Sequence, residues 1–498
     1  MTAALRLAAL TAAAGLAAGA ASADLTPADV WTDWQESAAD FGQTLSAGSE
    51  DASGGTLTLR DVTMIMDGPD GGVNATIPEV VMTAQGDGTV AIEMSDEVPL
   101  DFSVTSPENE VSTFSLLIDQ SALDLVASGA PGAISYAYSA PQMAMRMTEA
   151  TVDGEPLDLD ATLAMSELDG SYSVTDGDLR EVQSALNVAS ITMAVSGTDP
   201  EGSGDTFDLG LELADLASES SGTATPMMSM TNLTEMVEAG LTADGTTTHG
   251  PATFTLEGTS EGSAFAMAGS YGSGEYGVAI GADGLDYDYA GRDFTLTFTG
   301  DDIPLPQVAI AAEEIGSRIA MPIGVSEEPG DVGLGLRLVG LSISDDIWSM
   351  FDPMGALPRD PATLILDIAG RANWLVDVFD PALADEQMME PPGEVQSVTL
   401  NELRLSAVGA LLTGTGAFEF DNSGPVPQPA GTVNLRLEGA NALIDRLVQM
   451  GMLPEDQAMG ARMMLGLFAR PGDGPDTLVS EITVQPDGAV LANGQRIR

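Results

Sequence analysis

From about Gly54 onward, apolar residues recur at every second position. Leu57 and Leu59 alternate with Thr56, Thr58 and Arg60, and the 73–84 run meets Gly86-Asp87-Gly88 before continuing as Val90-Ala-Ile92-Glu-Met94. A period of two lines one face of a pleated strand. Asp-Gly between two such runs predicts a hairpin, because glycine accepts positive φ without steric cost. The alternation is cleanest over 252–299. There Phe254 and Leu256 are interleaved with Thr253, Thr255 and Glu257; Leu285, Tyr287 and Tyr289 with Asp286 and Asp288; and Phe294, Leu296 and Phe298 with Thr295, Thr297 and Thr299. Turns are expected at Gly258–Gly262, Gly272–Gly274, Gly281–Gly284 and Gly291–Asp293. Strands joined by short turns pair with their sequence neighbours, so the pattern predicts an antiparallel meander with one apolar and one Thr/Asp face.

Helical spacing interrupts this pattern in a few places. Thr26-Pro27-Ala28-Asp29 has the form of a capping box with proline at the first helical position. Behind it Val30, Trp34, Ala38, Phe41 and Leu45 share one face, and Ser46-Ala-Gly48 is the expected stop. Such a helix either packs on its own sheet or lies on a partner. Thr225-Pro226 opens a segment with Met227, Met230, Leu233, Met236 and Val237 in helical register up to Gly240. Asp345–Phe351 reads as a short helix ended by Asp352-Pro353, and Trp374–Pro381 echoes its Phe-Asp-Pro ending. Leu443, Ile444, Leu447 and Val448, then Met459, Met463 and Leu467 behind Pro454, predict a helical hairpin. A strand over 477–485, a turn at Pro486-Asp487-Gly488 and a short strand before Asn493-Gly494 close the chain. The fold class is therefore α+β and β-dominated: one or more extended antiparallel meander sheets, an N-terminal helix, and amphipathic helices inserted at about 225–240 and 441–469. A boundary near 225–245 would divide the 24–498 body into two lobes.

Composition adds an address. Met1–Arg6, an Ala/Leu-rich run to about Ala20 and Ala21-Ser22-Ala23 are the three parts of a secretory signal. Residues 1–23 are accordingly expected to be a signal peptide and Asp24 the first mature residue, with an uncleaved anchor as the alternative. No later stretch approaches the roughly 20 apolar residues of a membrane span. The expected location is the periplasm or the medium. The chain has no cysteine, which removes thiol catalysis and thiolate metal sites.

The formal net charge is −60, from 76 carboxylates against 16 basic residues, all arginine. Nucleic acid is excluded as a partner, since binding needs cations to displace phosphate counterions. Anionic lipid headgroups are repelled unless divalent cations bridge them. Twelve of the arginines lie from Arg292 onward, so the N-terminal half carries most of the unbalanced charge. The acidity suits a saline medium, and it equally suits a genome that simply favours arginine over lysine.

Candidate chemistry is sparse. His249, the one histidine, sits in the turn-like Thr246-Thr-Thr-His249-Gly250-Pro251. Gly258-Thr-Ser260-Glu-Gly262 matches the nucleophile-elbow pattern, but that motif needs a helix after it, and Ser263–Tyr271 alternates like a strand. It reads as a hairpin turn. Carboxylates separated by Gly and Ser could ligate Ca²⁺ at Asp199, Glu201 and Asp205, at Asp176-Gly-Asp178, or over Asp283–Asp288. They equally read as solvated turns. No phosphate-binding or dinucleotide motif stands in a strand-to-helix context, so no cofactor is expected beyond Ca²⁺. The 25 methionines suit adaptable apolar surfaces or a core poor in aromatics.

The stretch from Asp345 to Pro361, with Trp348-Ser-Met-Phe-Asp-Pro353 at its centre, resembles a segment of an alphaproteobacterial family catalogued as domain of unknown function 2125. Thr26–Trp31, Gly54–Val62 and the closing Asp487-Gly and Asn493-Gly strands are similar as well. The resemblance implies a periplasmic location and an elongated β-rich body, and carries no catalytic residues. The leading expectation is an exported, non-enzymatic protein that shelters a lipid or other hydrophobic partner between an apolar sheet face and Met-rich helices. Phe254, Leu256, Phe294, Leu296, Phe298, Met227 and Met230 are its expected contacts. Two alternatives stay open: a divalent-cation-dependent structural protein, and a hydrolase built on Ser260 and His249.

Overall fold

The computed structural model describes residues 24–498 apart from Phe41, 69–70, 107–109, 200–202, 225–231, 381–382, 384–390 and 425. Helix α1 (Pro27–Asp40) opens the described chain. Then come β1 (Thr44–Ser53), β2 (Thr56–Gly68), β3 (Gly71–Ala84), β4 (Val90–Met94), β5 (Glu97–Thr105), β6 (Val111–Asp119), β7 (Asp124–Ala130), β8 (Ala133–Val152) and β9 (Glu155–Pro156). The middle holds β10 (Leu159–Thr175), β11 (Arg180–Thr198), β12 (Thr206–Ala224), α2 (Leu233–Glu238), β13 (Thr242–His249), β14 (Ala252–Ser260), β15 (Ser263–Tyr271), β16 (Ser273–Gly281), β17 (Gly284–Gly300) and β18 (Val308–Met321). The remainder is β19 (Gly330–Ile343), α3 (Asp345–Phe351), β20 (Ala362–Trp374), β21 (Gly393–Ala407), β22 (Ala410–Asp421), β23 (Gln428–Glu438), α4 (Ala440–Gln449), α5 (Glu455–Phe468), β24 (Arg470–Pro471), β25 (Thr477–Val484), β26 (Val490–Ala492) and β27 (Gln495–Arg496).

The strands form a single sheet, and every ladder in it is antiparallel. Each strand pairs with at least one neighbour in sequence, as the expected short turns require. β3 pairs with both β4 and β5, β12 with both β13 and β14, and β17 with both β15 and β16. Each of these couples is one long strand broken at mid-length. Hydrogen bonding passes from β12 to β13 across the 225–241 insertion. The fold is thus β-dominated α+β. Among the described residues no helix is long and apolar enough to cross a membrane.

The mid-length breaks line up. Asp61, Glu167, Asp215 and Asp293 adopt φ of 50°, 48°, 52° and 53° in the middle of their strands. At these points the ladder skips a pair without changing register, for example from Ala47↔Val62 to Ser49↔Arg60 and from Arg292↔Glu314 to Phe294↔Ala312. Pro141, Glu167, Ala189 and Asp215 are thereby side-by-side interruptions on β8, β10, β11 and β12. Each left-handed residue turns the alternation over. Odd-numbered Leu57 and Leu59 are buried before Asp61, and even-numbered Val62 is buried after it. Glycine faces three of the kinks: a β-carbon on Gly48, Gly250 or Gly272 would lie 3.4, 2.9 or 2.8 Å from Oδ2 of Asp61, Asp215 or Asp293. The sheet is therefore creased across its strands while one face stays apolar.

Several expectations are corrected. Gly272 and Gly291–Asp293 are not turns. Gly272 carries β15 straight into β16, and β17 runs unbroken through Asp293. Their glycine and aspartate serve the crease, which needs the same backbone freedom as a turn. α1 stops at Asp40, so Leu45 belongs to β1 rather than to the helix, although it still packs on the same core. Trp374 ends β20, and Leu375–Asp380 is loop, not a second copy of α3. The turns at Gly86–Gly88, Gly258–Gly262 and Gly281–Gly284, the α4–α5 hairpin and the closing strands stand as expected.

Among the described residues the larger dry core lies at one end of the sheet, and a smaller one gathers Ala140, Leu168 and Val188 at the crease, with Met165 and Ile191 packed against it. α1 is held by its capping box, with Asp29 N–H donating to Thr26 Oγ1 at 3.3 Å and Thr26 N–H to Asp29 Oδ2 at 3.0 Å. It lays Val30 and Trp31 on Leu57, Leu59, Val80, Met82, Val90, Ile92, Ala127 and Ile134. Tyr136 Oη donates to Asp33 Oδ2 at 2.6 Å and ties the helix to β8. Burial raises the Asp33 carboxyl, and burial together with that bond holds the Tyr136 phenol above its ordinary range.

Candidate functional site

Cross-strand register assembles the site. Reading sideways from β5 to β19, paired positions carry Val98, Ile118, Met145, Leu163, Met193, Leu211, Phe254, Gly269, Leu296, Ile310 and Ile343. No polar side chain interrupts this row. A parallel row two residues along holds Ala161, Val195, Leu209, Leu256, Met267, Phe298 and Val308. A third holds Met165, Ile191, Leu213 and Ala252. Residues two apart on a strand share a face, so the rows form one stripe across the strands. The intervening positions Thr192, Glu212, Thr253, Thr255 and Glu257 are exposed on the other side.

The stripe is open. Between Leu209 and Ile310 no large apolar side chain among the described residues is fully buried; Leu209, Leu211, Phe254, Leu256, Leu296 and Phe298 are half-buried. Phe254 and Leu256 thus meet Leu296 and Phe298 on one face, and the Phe254 ring fills the space a β-carbon on Gly269 would need. Phe294 continues the surface towards the crease, its ring 5.0 Å from that of Tyr271. Tyr289 lies beside them; burial and the Tyr271 hydroxyl push its phenol up to about 12.

The helical lid expected over this face is not found among the described residues. Extended helix-on-strand packing is confined to α1 on β1–β3 and α4 on β22. α2 is pinned beyond the strand ends by Asn232 and Thr234, which donate to Asp377 at 2.9 and 2.7 Å. Met227 and Met230 lie outside the described residues. In α5 it is Ala458 that is buried, while Met459 and Met463 are each 72% exposed and turned away from any sheet. Where α1 does cover the face, it leaves an apolar cavity of about 350 Å³ lined by Trp34, Ala38, Leu45, Val62, Met64 and Ile77. Val98, the first residue of the long row, also lines it.

The polar candidates are occupied locally. Asp205 accepts from Glu261 N–H at 3.0 Å and Gly262 N–H at 3.3 Å, and these bonds, Glu261 first, hold its carboxyl below the usual range. Asp199 meets Asp205 through the backbone, its N–H donating to the Asp205 carbonyl at 2.9 Å. Glu201 lies outside the described residues. Among the described residues no group of three or more His, Asp or Glu is placed to hold a metal ion. Ser260 ends β14 and pairs with Ser263 across a two-residue turn, so no helix follows it. His249 leans over Gly274 and bonds the Gly250 carbonyl through Nδ1 at 2.7 Å. Their partners on β12, reached near Ala217 and Phe207, are about 33 Å apart at about 3.3 Å per residue, so the two do not meet.

No single strand displays the stripe. Its signal in the sequence is the change of parity across an acidic residue: Leu213 to Leu216 across Asp215, Tyr289 to Phe294 across Asp293.

By fold, this is a creased antiparallel meander with an open apolar face. Residues 246–497 match the family described as uncharacterized protein conserved in bacteria, domain of unknown function 2125, and the chain belongs to that family. The Asp345–Pro361 segment and the closing strands fall within the match; Thr26–Trp31 and Gly54–Val62 lie before it. No curated protein and no solved structure matches the chain.

Proposed function

We propose that this is an exported, periplasmic lipid-binding protein that works by sheltering acyl chains on its apolar stripe, without catalysis. One observation carries the reading. Three adjacent rows built from Leu, Met, Val, Ile, Phe and Ala cross the sheet with no hydrogen-bonding side chain among them, and over β12–β18 they are left uncovered among the described residues. A contiguous, half-buried apolar surface of this extent without a cover marks an interaction site. A protein partner would ordinarily be met with about one hydrogen bond per 100–200 Å². Nothing in the rows can make such bonds, whereas methylene chains need none. Flexible Met145, Met193 and Met267 suit an occupant of variable shape. The Ala-rich residues 1–23, ending in Ala-Ser-Ala, support export.

The test is lipid extraction from full-length protein expressed with its own leader and purified from the periplasm. Wild-type protein is expected to carry lipid. Leu256→Asp and Phe298→Asp, which place a carboxylate inside the stripe, are expected to lose most of it while keeping the wild-type circular dichroism. Lipid-free wild-type protein that also binds no apolar probe overturns the proposal.

A further inference from the structure

We propose that the stripe is a track for several acyl chains laid in succession across the strands, rather than a pocket for one lipid; this rests on the lipid-binding reading above. The length of the stripe is the first argument. The row from Val98 to Ile343 crosses ten strand spacings, about 48 Å at about 4.8 Å each. One leaflet's acyl chains occupy about 15 Å, half of a hydrocarbon core of about 30 Å. One lipid therefore covers roughly a third of the row.

Continuity is the second. A pocket has ends, where a polar group or a bulky side chain closes it. Along this row the narrowest residue, Gly269, is roofed by the neighbouring Phe254 ring, so the surface stays level instead of dipping into a separate site. At β12 the stripe is four side chains wide, Phe207, Leu209, Leu211 and Leu213, room for chains to lie abreast as well as in file. At one terminus, Val98, the row passes into the cavity beneath α1. Chains thus enter over β12–β18 and come to rest against the helix. The charge selects their headgroups. At −60 the protein repels phosphatidylglycerol-like anions and leaves zwitterionic or neutral lipids as occupants.

Native mass spectrometry of the delipidated full-length chain, incubated with dioleoylphosphatidylcholine vesicles, decides this. The expected result is at least two, and up to about three, lipids per chain, with Leu211→Asp at mid-row losing at least one. Phe298→Asp, on the neighbouring row, guards against a folding defect in the first variant. Saturation at one lipid per chain overturns the track and leaves lipid binding standing. No lipid at all, or a second copy of the chain on the stripe instead, overturns both. An undiminished count in both folded variants overturns the placement on this face.

Discussion

Leu59 and Leu256 face the same side of the same sheet, yet one is fully buried and the other half-open. Both alternate with threonines, and both stand opposite an apolar neighbour, Val80 and Met267 respectively. What separates them is α1. Its Val30 and Trp31 convert the N-terminal end of the apolar face into a core, while the 206–312 stretch has no such cover among the described residues. Alternation therefore specifies a two-faced ribbon, and only the presence of a covering helix decides whether the oily face stabilises the fold or receives something else.

Mutations at matched positions test that contrast most directly. Leu59→Ala is expected to cost about 2–5 kcal/mol, as for other fully buried leucines. Leu211→Ala, on the open row, is expected to fall within about 1 kcal/mol of wild type. Urea denaturation measures both; equal losses would mean that the open stretch is packed after all. Next in size is Tyr136→Phe, which leaves half-buried Asp33 without its donor and is expected to cost about 1.5–3 kcal/mol at neutral pH. Because burial raises the Asp33 pKa, its ionised form is disfavoured in the fold. The Phe variant's deficit should therefore shrink as pH falls through that raised value towards 3.8. A deficit independent of pH would separate the bond from the carboxylate's charge.

Probe binding should run the other way. An apolar fluorescent dye is expected to lose several-fold of its emission with Leu256→Asp and to keep it with Leu59→Ala at a denaturant-free temperature well below unfolding. The reverse order would put the binding surface under α1. The smallest effect is alkaline. The unfolded Tyr289 phenol ionises near 10.0, whereas the folded one holds its proton to about 12. The native state then binds more protons between those values, so stability is full below about pH 10 and declines as pH rises towards 12. Tyr289→Phe should flatten that decline, measured as the melting temperature against pH.

Much of this was legible along the chain. Alternation at 252–299 marked the apolar face correctly, and Gly258–Gly262 and Gly281–Gly284 announced true hairpins, the first with Glu261-Gly262 both at positive φ as a two-residue turn prefers. Gly272 and Asp293 misled for the same reason: a mid-strand kink needs the same freedom as a turn, and only the partner strand tells the two apart. Leu45 had helical spacing to Phe41 and strand spacing to Ala47 at once, so its neighbours could not place it. The stripe itself was invisible, since cross-strand register brings Met193 beside Leu211 and Phe254 from separate stretches of sequence. Whether the face is covered was illegible too: helical periodicity at 225–240 and 454–467 shows that an apolar side exists and not what it touches.

A meander in which each full-length strand leans on those beside it has no keystone. Removing or duplicating one hairpin would shorten or extend the face by two strand spacings, roughly 10 Å, and leave every other ladder intact. Reach is thereby a quantity that evolution can adjust in steps, by counting hairpins, without redesigning either terminus.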